Sequence, residues 1–155
     1  MTEQVVFSKT GMMIRKPIAE VFNAFVDPDV TTKFWFTHST GKLAIGNKVT
    51  WSWKMYNVEA PVEVLDLIEN EKILISWGEG EQKSTVEWKF QSLADQKTYV
   101  TIINSDFQVT GTKLTVQLID STGGFTLVVA GLKAWLEHGI QLNLVGDKFP
   151  IELTA

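Results

Sequence analysis

The spacing of apolar positions changes several times along the chain, and each change marks an element. Residues Val5 to Arg15 read as a first strand. Pro17 follows, a residue tolerated at the start of a helix because the N–H it lacks has no intrahelical partner there. Ile18, Val21, Phe22 and Phe25 then recur at helical spacing. The stretch "DPDVTTKFWF" (27–36) predicts a second short helix, with Asp27 as N-cap, Pro28 at the first position and Trp35 inside it. "STGKLAIGN" (39–47) is rich in turn residues, and after it the period becomes two.

In "KVTWSWKM" (48–55), Val49, Trp51, Trp53 and Met55 face one way, and Thr50, Ser52 and Lys54 the other. Further strands are predicted at Val58–Ile68, Lys72–Trp77, Ser84–Gln91 and Thr98–Ser105, separated by "ENEK", "GEGEQ" and "LADQ". Val86, Trp88 and Phe90 alternate with Thr85, Glu87 and Lys89, as expected of an antiparallel sheet with one buried and one wet face. On this alternation Glu59 and Glu63 belong to the wet face. One strand, two short helices, about five strands and a final helix make a single α+β domain over 1–155, its sheet covering something on one side.

That final helix, "STGGFTLVVAGLKAWLEHG" (121–139), carries Gly123, Gly124 and Gly131, each costing roughly 1 kcal/mol relative to alanine. An earlier start, near Thr112, would bring Gln117 and Asp120 inward. At 100° per residue, Thr122, Thr126, Lys133 and Glu137 cluster on a side expected to face solvent. Gly124, Val128, Gly131 and Trp135 lie opposite, flanked by Phe125, Leu127, Leu132 and Leu136. Two consequences of the inward glycines are open: the helix backbone comes very close to the sheet, or space is left beneath it. Trp51, Trp53, Trp77, Trp88 and Phe90 are expected to project toward this helix. Rings that large fit poorly under a helix in backbone contact with a sheet and suit the walls of a cleft.

Composition narrows the function more than the fold. Among 155 residues, 45% are hydrophobic and 21% charged, an ordinary globular balance, with six Trp and nine Phe against two Tyr. A net charge of −4 and a pI of about 5.2 offer no basic footprint for nucleic acid. The absence of cysteine excludes disulfides, thiol nucleophiles and thiolate metal sites. No signal-like N-terminus and no continuous apolar run near 18 residues are present, so a cytoplasmic protein without integral membrane association is expected.

No catalytic constellation stands out. His138 sits at a helix end, where a partly charged imidazole suits the dipole. His38 falls in a predicted loop after "FWF", where it could meet a cavity mouth as an acid or base. Two histidines so placed lack metal-ligand spacing, and no metal or cofactor is expected. Arg15, the sole arginine, could counter a ligand carboxylate, although the end of a strand is ordinarily solvated. Asp120, if turned inward, would be a carboxylate under an apolar helix.

The segments "KPIAEVFNAFVDPDVTTKFWF" (16–36), "GKLAIGNKVTW" (41–51) and "STGGFTLVVAGLKAWLEHG" (121–139) resemble the helix-grip fold of the START-like (SRPBCC) superfamily. In particular the chain is similar to bacterial single-domain homologues of the activator of the heat-shock-protein-90 ATPase. The resemblance implies a curved antiparallel sheet wrapped around a long C-terminal helix, with two short helices after the first strand. It also implies a hydrophobic cavity between sheet and helix for a small apolar or aromatic ligand. It implies no uniform activity: superfamily members include lipid and hormone binders, polyketide cyclases, aromatic-ring oxygenase subunits and co-chaperones. The eukaryotic co-chaperone adds an N-terminal domain; this chain is expected to begin at the first grip strand, so that function is not carried over.

The expected function is binding of a small hydrophobic, aromatic or lipid-like molecule by a monomer or homodimer. A cyclase- or hydrolase-type enzyme using His38 or Asp120, and a co-chaperone-like interaction module, are the alternatives. The candidate lining comprises Phe25, Trp35, Trp51, Trp53, Trp77, Trp88 and Phe90 from the sheet side, and Gly124, Val128, Gly131 and Trp135 from the helix. His38 and Asp120 are the candidate polar contacts.

Overall fold

The computed structural model describes residues 5–153. Strand β1 (Ser8–Ile14) is shorter than the Val5–Arg15 expected. Helix α1 (Ile18–Val26) follows Pro17, which sits just outside it in an extended conformation. Its inward stripe, Val21, Phe22 and Phe25, is buried. Helix α2 (Pro28–Thr31) is capped by the Asp27 carboxylate, which accepts from the Asp29 N–H at 3.0 Å. The helix ends at Thr31, so Phe34, Trp35 and Phe36 lie beyond it. The buried Thr31 hydroxyl donates to the Ala24 carbonyl at 2.6 Å, pinning the turn that aims these rings into the core.

The rest of the sheet comprises β2 (His38–Ser39), β3 (Lys48–Trp53), β4 (Val58–Ile68), β5 (Lys72–Trp77), β6 (Ser84–Leu93) and β7 (Lys97–Ser105). All pairings are antiparallel, in the order β1-β7-β6-β5-β4-β3-β2. The two-residue strand at His38, opposite Ser52, was not visible in the period of the sequence. A bulge between Val64 and Asp66 interrupts the β4–β5 register, the kind of irregularity that bends a sheet.

One face of the sheet carries the core. Val86, Trp88 and Phe90 of β6 and Val100 and Ile102 of β7 are buried, as the alternation predicts. Trp35 is its hub, with the ring centroids of Trp51, Phe36, Phe125, Trp77 and Trp88 within 4.9–6.0 Å.

Helix α3 (Gly111–His138) spans 28 residues and ends on Gly139 at φ 65°, a left-handed conformation that glycine adopts without strain. It starts at the early position that the sequence left open. By length and composition alone it could cross a membrane; here Phe125, Val128, Val129 and Leu132 are instead buried on the sheet.

The side of α3 expected to face water is largely used for docking along β1. Thr126 shares a hydrogen bond with Thr10, the Lys133 ammonium donates to the Met13 carbonyl at 3.1 Å, and Glu137 accepts from the Arg15 N–H at 2.9 Å. The Glu137 side chain is only 8% exposed. A polar helix face is thus spent on the edge strand, which it covers.

The C-terminal segment returns as α4 (Leu144–Lys148), followed by a short turn of helix at Ile151–Leu153.

Candidate functional site

A cavity of about 290 Å³ lies between the sheet and the middle of α3, residues 117–128. Gly124, Phe125, Leu127 and Val128 form its helical wall, with Gln117, Asp120 and Ser121 one and two turns earlier. Trp53, Trp77, Ser84 and Asn104 form the sheet wall; Trp35 and Phe107 come from connecting segments, and Val145 and Phe149 from the C-terminal segment. A Cβ built on Gly124 would meet nothing within 4 Å.

A wider, open groove of about 910 Å³ runs on beneath the C-terminal segment toward β4, bounded by Tyr56, Val58, Glu59 and Pro61. It shares Trp53, Trp77, Gln82, Val145 and Phe149 with the cavity. The Tyr56 hydroxyl holds α4 across this junction by donating to the carbonyls of Val145 (3.1 Å) and Phe149 (2.7 Å). Burial and the nearby Asp147 carboxylate push the phenol above its ordinary value, so it remains a protonated donor.

One cavity wall is polar and fully organised. Asn104, 3% exposed, donates from Nδ2 to the Thr85 carbonyl (2.7 Å) and the Ser84 hydroxyl (2.9 Å). Its Oδ1 accepts from Ser121 at 2.8 Å, and Ser121 is bonded in turn to Ser8 of β1. Trp77 Nε1 donates to the Ser84 oxygen at 3.2 Å.

Of the candidate lining, Trp35, Trp53, Trp77, Gly124 and Val128 meet at this cavity, together with Asp120. The others are placed elsewhere. Phe90 packs against Phe22 and Phe25 of α1, and Trp51 stacks on Phe36 at 4.7 Å. Trp88 is 1% exposed among Phe25, Trp35 and Phe125, and its Nε1 has no hydrogen-bond partner among the described residues.

Gly131 requires a correction of the opposite kind. A Cβ there would stand 3.0 Å from the Phe34 carbonyl oxygen, so this glycine permits close packing and leaves no void. Trp135, one turn on, lies under the Lys33 ammonium at 5.7 Å from its ring centre, outside the cavity. The candidate acid–base groups are not brought together: His38 is exposed on β2, whereas Asp120 lines the cavity from an exposed helix position. Arg15 is exposed at the end of β1, where its backbone N–H serves Glu137.

Ser84, Asn104, Ser121, Phe107, Val145 and Phe149 were not singled out from sequence. For two of them the signal was present. Ser84 continues the inward series Val86–Trp88–Phe90, and Asn104 continues Val100–Ile102; a polar residue on an inward parity is a site candidate.

The fold agrees with that of solved structures. Protein SSP2350 from Staphylococcus saprophyticus superposes with a TM-score of 0.76 at 27% identity, over 88% of this chain and 96% of that one. The solution structure of the Aha1 dimer from Colwellia psychrerythraea gives 0.73 at 15% identity, over 86% and 98%. PFC0360w, an HSP90 activator from Plasmodium falciparum, gives 0.62 at 18% identity, over 77% and 90%. No curated protein matches the sequence. The family model described as Activator of Hsp90 ATPase homolog 1-like protein matches residues 15–137. That span runs from the end of β1 to the last turn of α3 and takes in the sheet and the helix that bound the cavity; the chain belongs to this family.

Proposed function

We propose that the protein binds a small hydrophobic molecule, aromatic or lipid-like, in the cavity beneath the middle of α3. The observation that carries this reading is Gly124. Gly124 is solvent-accessible and lines the open cavity, a Cβ there would meet nothing within 4 Å, and the rings of Trp35, Trp53 and Trp77 line the same cavity. Burying about 200 Å² of apolar ligand surface there at roughly 25 cal/mol per Å² contributes about 5 kcal/mol before the costs of association. All walls come from one chain, so the reading holds for a monomer and a homodimer alike.

Native mass spectrometry of the purified protein tests it, with extraction of any bound molecule. A discrete added mass is expected in the wild type and its loss in Gly124→Leu, whose side chain would occupy the space while circular dichroism stays unchanged. A Gly124→Leu variant that retains the bound mass, or takes up hydrophobic probes as well as the wild type, would count against the cavity as the binding site.

A further inference from the structure

The polar wall of the cavity has a proton order that can be worked out completely. The Thr85 carbonyl can only accept, so the Asn104 group facing it is the amide nitrogen. The second hydrogen on that nitrogen goes to the Ser84 oxygen. The amide oxygen therefore points to Ser121, which must donate, and Ser8 in turn donates to Ser121. Trp77 Nε1 is a donor with no alternative role, and it too is directed at the Ser84 oxygen.

Ser84 thus accepts twice, and both its lone pairs are filled. Its own proton is left over, because the two bonds it makes among the described residues are both ones it accepts. The residue is 5% exposed and lines the cavity. A buried donor without an acceptor is costly, so an acceptor from outside the protein meets it: water when the cavity is empty, and a ligand oxygen where a ligand displaces that water.

The charge of that oxygen is also constrained. No lysine, arginine or histidine lines the cavity among the described residues, and the ionisable group that does is the Asp120 carboxylate. Lys113, one helical turn before Gln117, is paired with Glu81. A ligand carboxylate would be desolvated beside Asp120 without a counterion.

We infer that the ligand is an uncharged molecule with a carbonyl-type acceptor oxygen on an apolar aromatic body, its oxygen seated against the Ser84 hydroxyl. This rests on the cavity being the binding site, as proposed above. Asn104 and Ser121 are positioning residues: they hold the Ser84 oxygen as a double acceptor and so commit its proton to the ligand. Trp35, Trp53 and Trp77, whose rings pack on one another with centroids 6.0–6.5 Å apart, form one continuous apolar wall against which the body lies.

The test is calorimetric titration with three probes of nearly one shape: methyl naphthyl ketone, ethylnaphthalene and naphthoate. The ketone is expected to bind the wild type about tenfold more tightly than ethylnaphthalene, the worth of one buried hydrogen bond, with naphthoate weakest. Ser84→Ala should abolish the preference for the ketone and leave ethylnaphthalene binding within about twofold; Ser84→Thr should retain it. Equal binding of ketone and ethylnaphthalene to the wild type, or naphthoate binding best, overturns the inference while leaving the cavity as a binding site. Binding of none of the three overturns the cavity reading and this inference with it. If Ser84→Ala does not fold, the wild-type probe series decides alone.

Discussion

The two halves of α3 differ in almost every respect, though one unbroken helix contains both. Residues 111–124 include no buried side chain, whereas Phe125, Val128, Val129 and Leu132 of the second half are buried on the sheet. The second half runs beside β1 and is bonded to it at Thr10, Met13 and Arg15. The first half meets the sheet through Ser121, bonded to Ser8 and Asn104, and reaches the β5–β6 connection, where Gln117 donates to the Glu81 carbonyl at 3.0 Å. The helix bridges the cavity because it is held on both sides of it, by packing and polar bonds along β1 in the second half and by Ser121, Gln117 and Lys113 in the first. Buried apolar packing is concentrated in the second half, whereas the proposed binding site lies where the two halves meet, lined by Gln117, Asp120, Ser121 and Gly124 of the first and by Phe125, Leu127 and Val128 of the second.

The contrast can be broken most severely at Leu132, which is fully buried. Leu132→Ala should lower unfolding free energy in urea by about 2–5 kcal/mol, whereas Ile119→Ala, at a position 66% exposed, should change it by no more than roughly 0.5 kcal/mol. Equal losses at the two positions would show that the first half is packed after all.

The glycines sharpen the same comparison at smaller scale. Gly131→Leu forces a side chain against the Phe34 backbone and should cost about 1–3 kcal/mol. Gly124→Leu meets no such obstacle and should be neutral, or gain up to about 1 kcal/mol from helix propensity. Thermal unfolding of the pair decides; a stabilised Gly131→Leu would refute the close-packing account.

The smallest effect concerns the clamp at the end of the second half. Burial pushes the Glu137 carboxyl up, but hydrogen bonds from Lys133 and the Arg15 N–H, with the charges of Lys133 and His138, outweigh it and hold the group below its ordinary value of 4.5. Protonation is therefore harder in the folded protein than in the unfolded chain. The stabilisation is complete above pH 4.5 and is lost as pH falls through the lowered folded-state value. Stability of Glu137→Gln should consequently fall less steeply below pH 4.5 than that of the wild type; parallel curves in urea titrations across this range would remove Glu137 from the acid response.

Much of the fold was legible because period is a local property. Alternation along β3, β6 and β7 follows from the pleat, and the Asp27–Pro28 start of α2 from capping chemistry. What escaped were short or non-periodic pieces. Two residues of β2 are too few to show a period, and the rings of Phe34, Trp35 and Phe36 look helical at a spacing that ends in fact at Thr31. The docking role of Lys133 and Glu137 was equally hidden, since a polar helix face looks the same whether it meets water or the edge of a strand.

The candidate site shows where sequence stops. By itself the sequence determined an aromatic-walled sheet under a long helix with glycines on its inner side, and a family resemblance consistent with both. It could not separate Gly124 from Gly131. Seven residues bring a helix to within about 20° of two full turns, so the two glycines share a face. Only the tertiary structure placed Phe34 opposite one and open space opposite the other. The same holds for the tryptophans, of which Trp53 and Trp77 reach the cavity while Trp51 and Trp88 are enclosed in the core. Which ring meets a void is set by what faces it across the fold, and residues distant in the chain supply that.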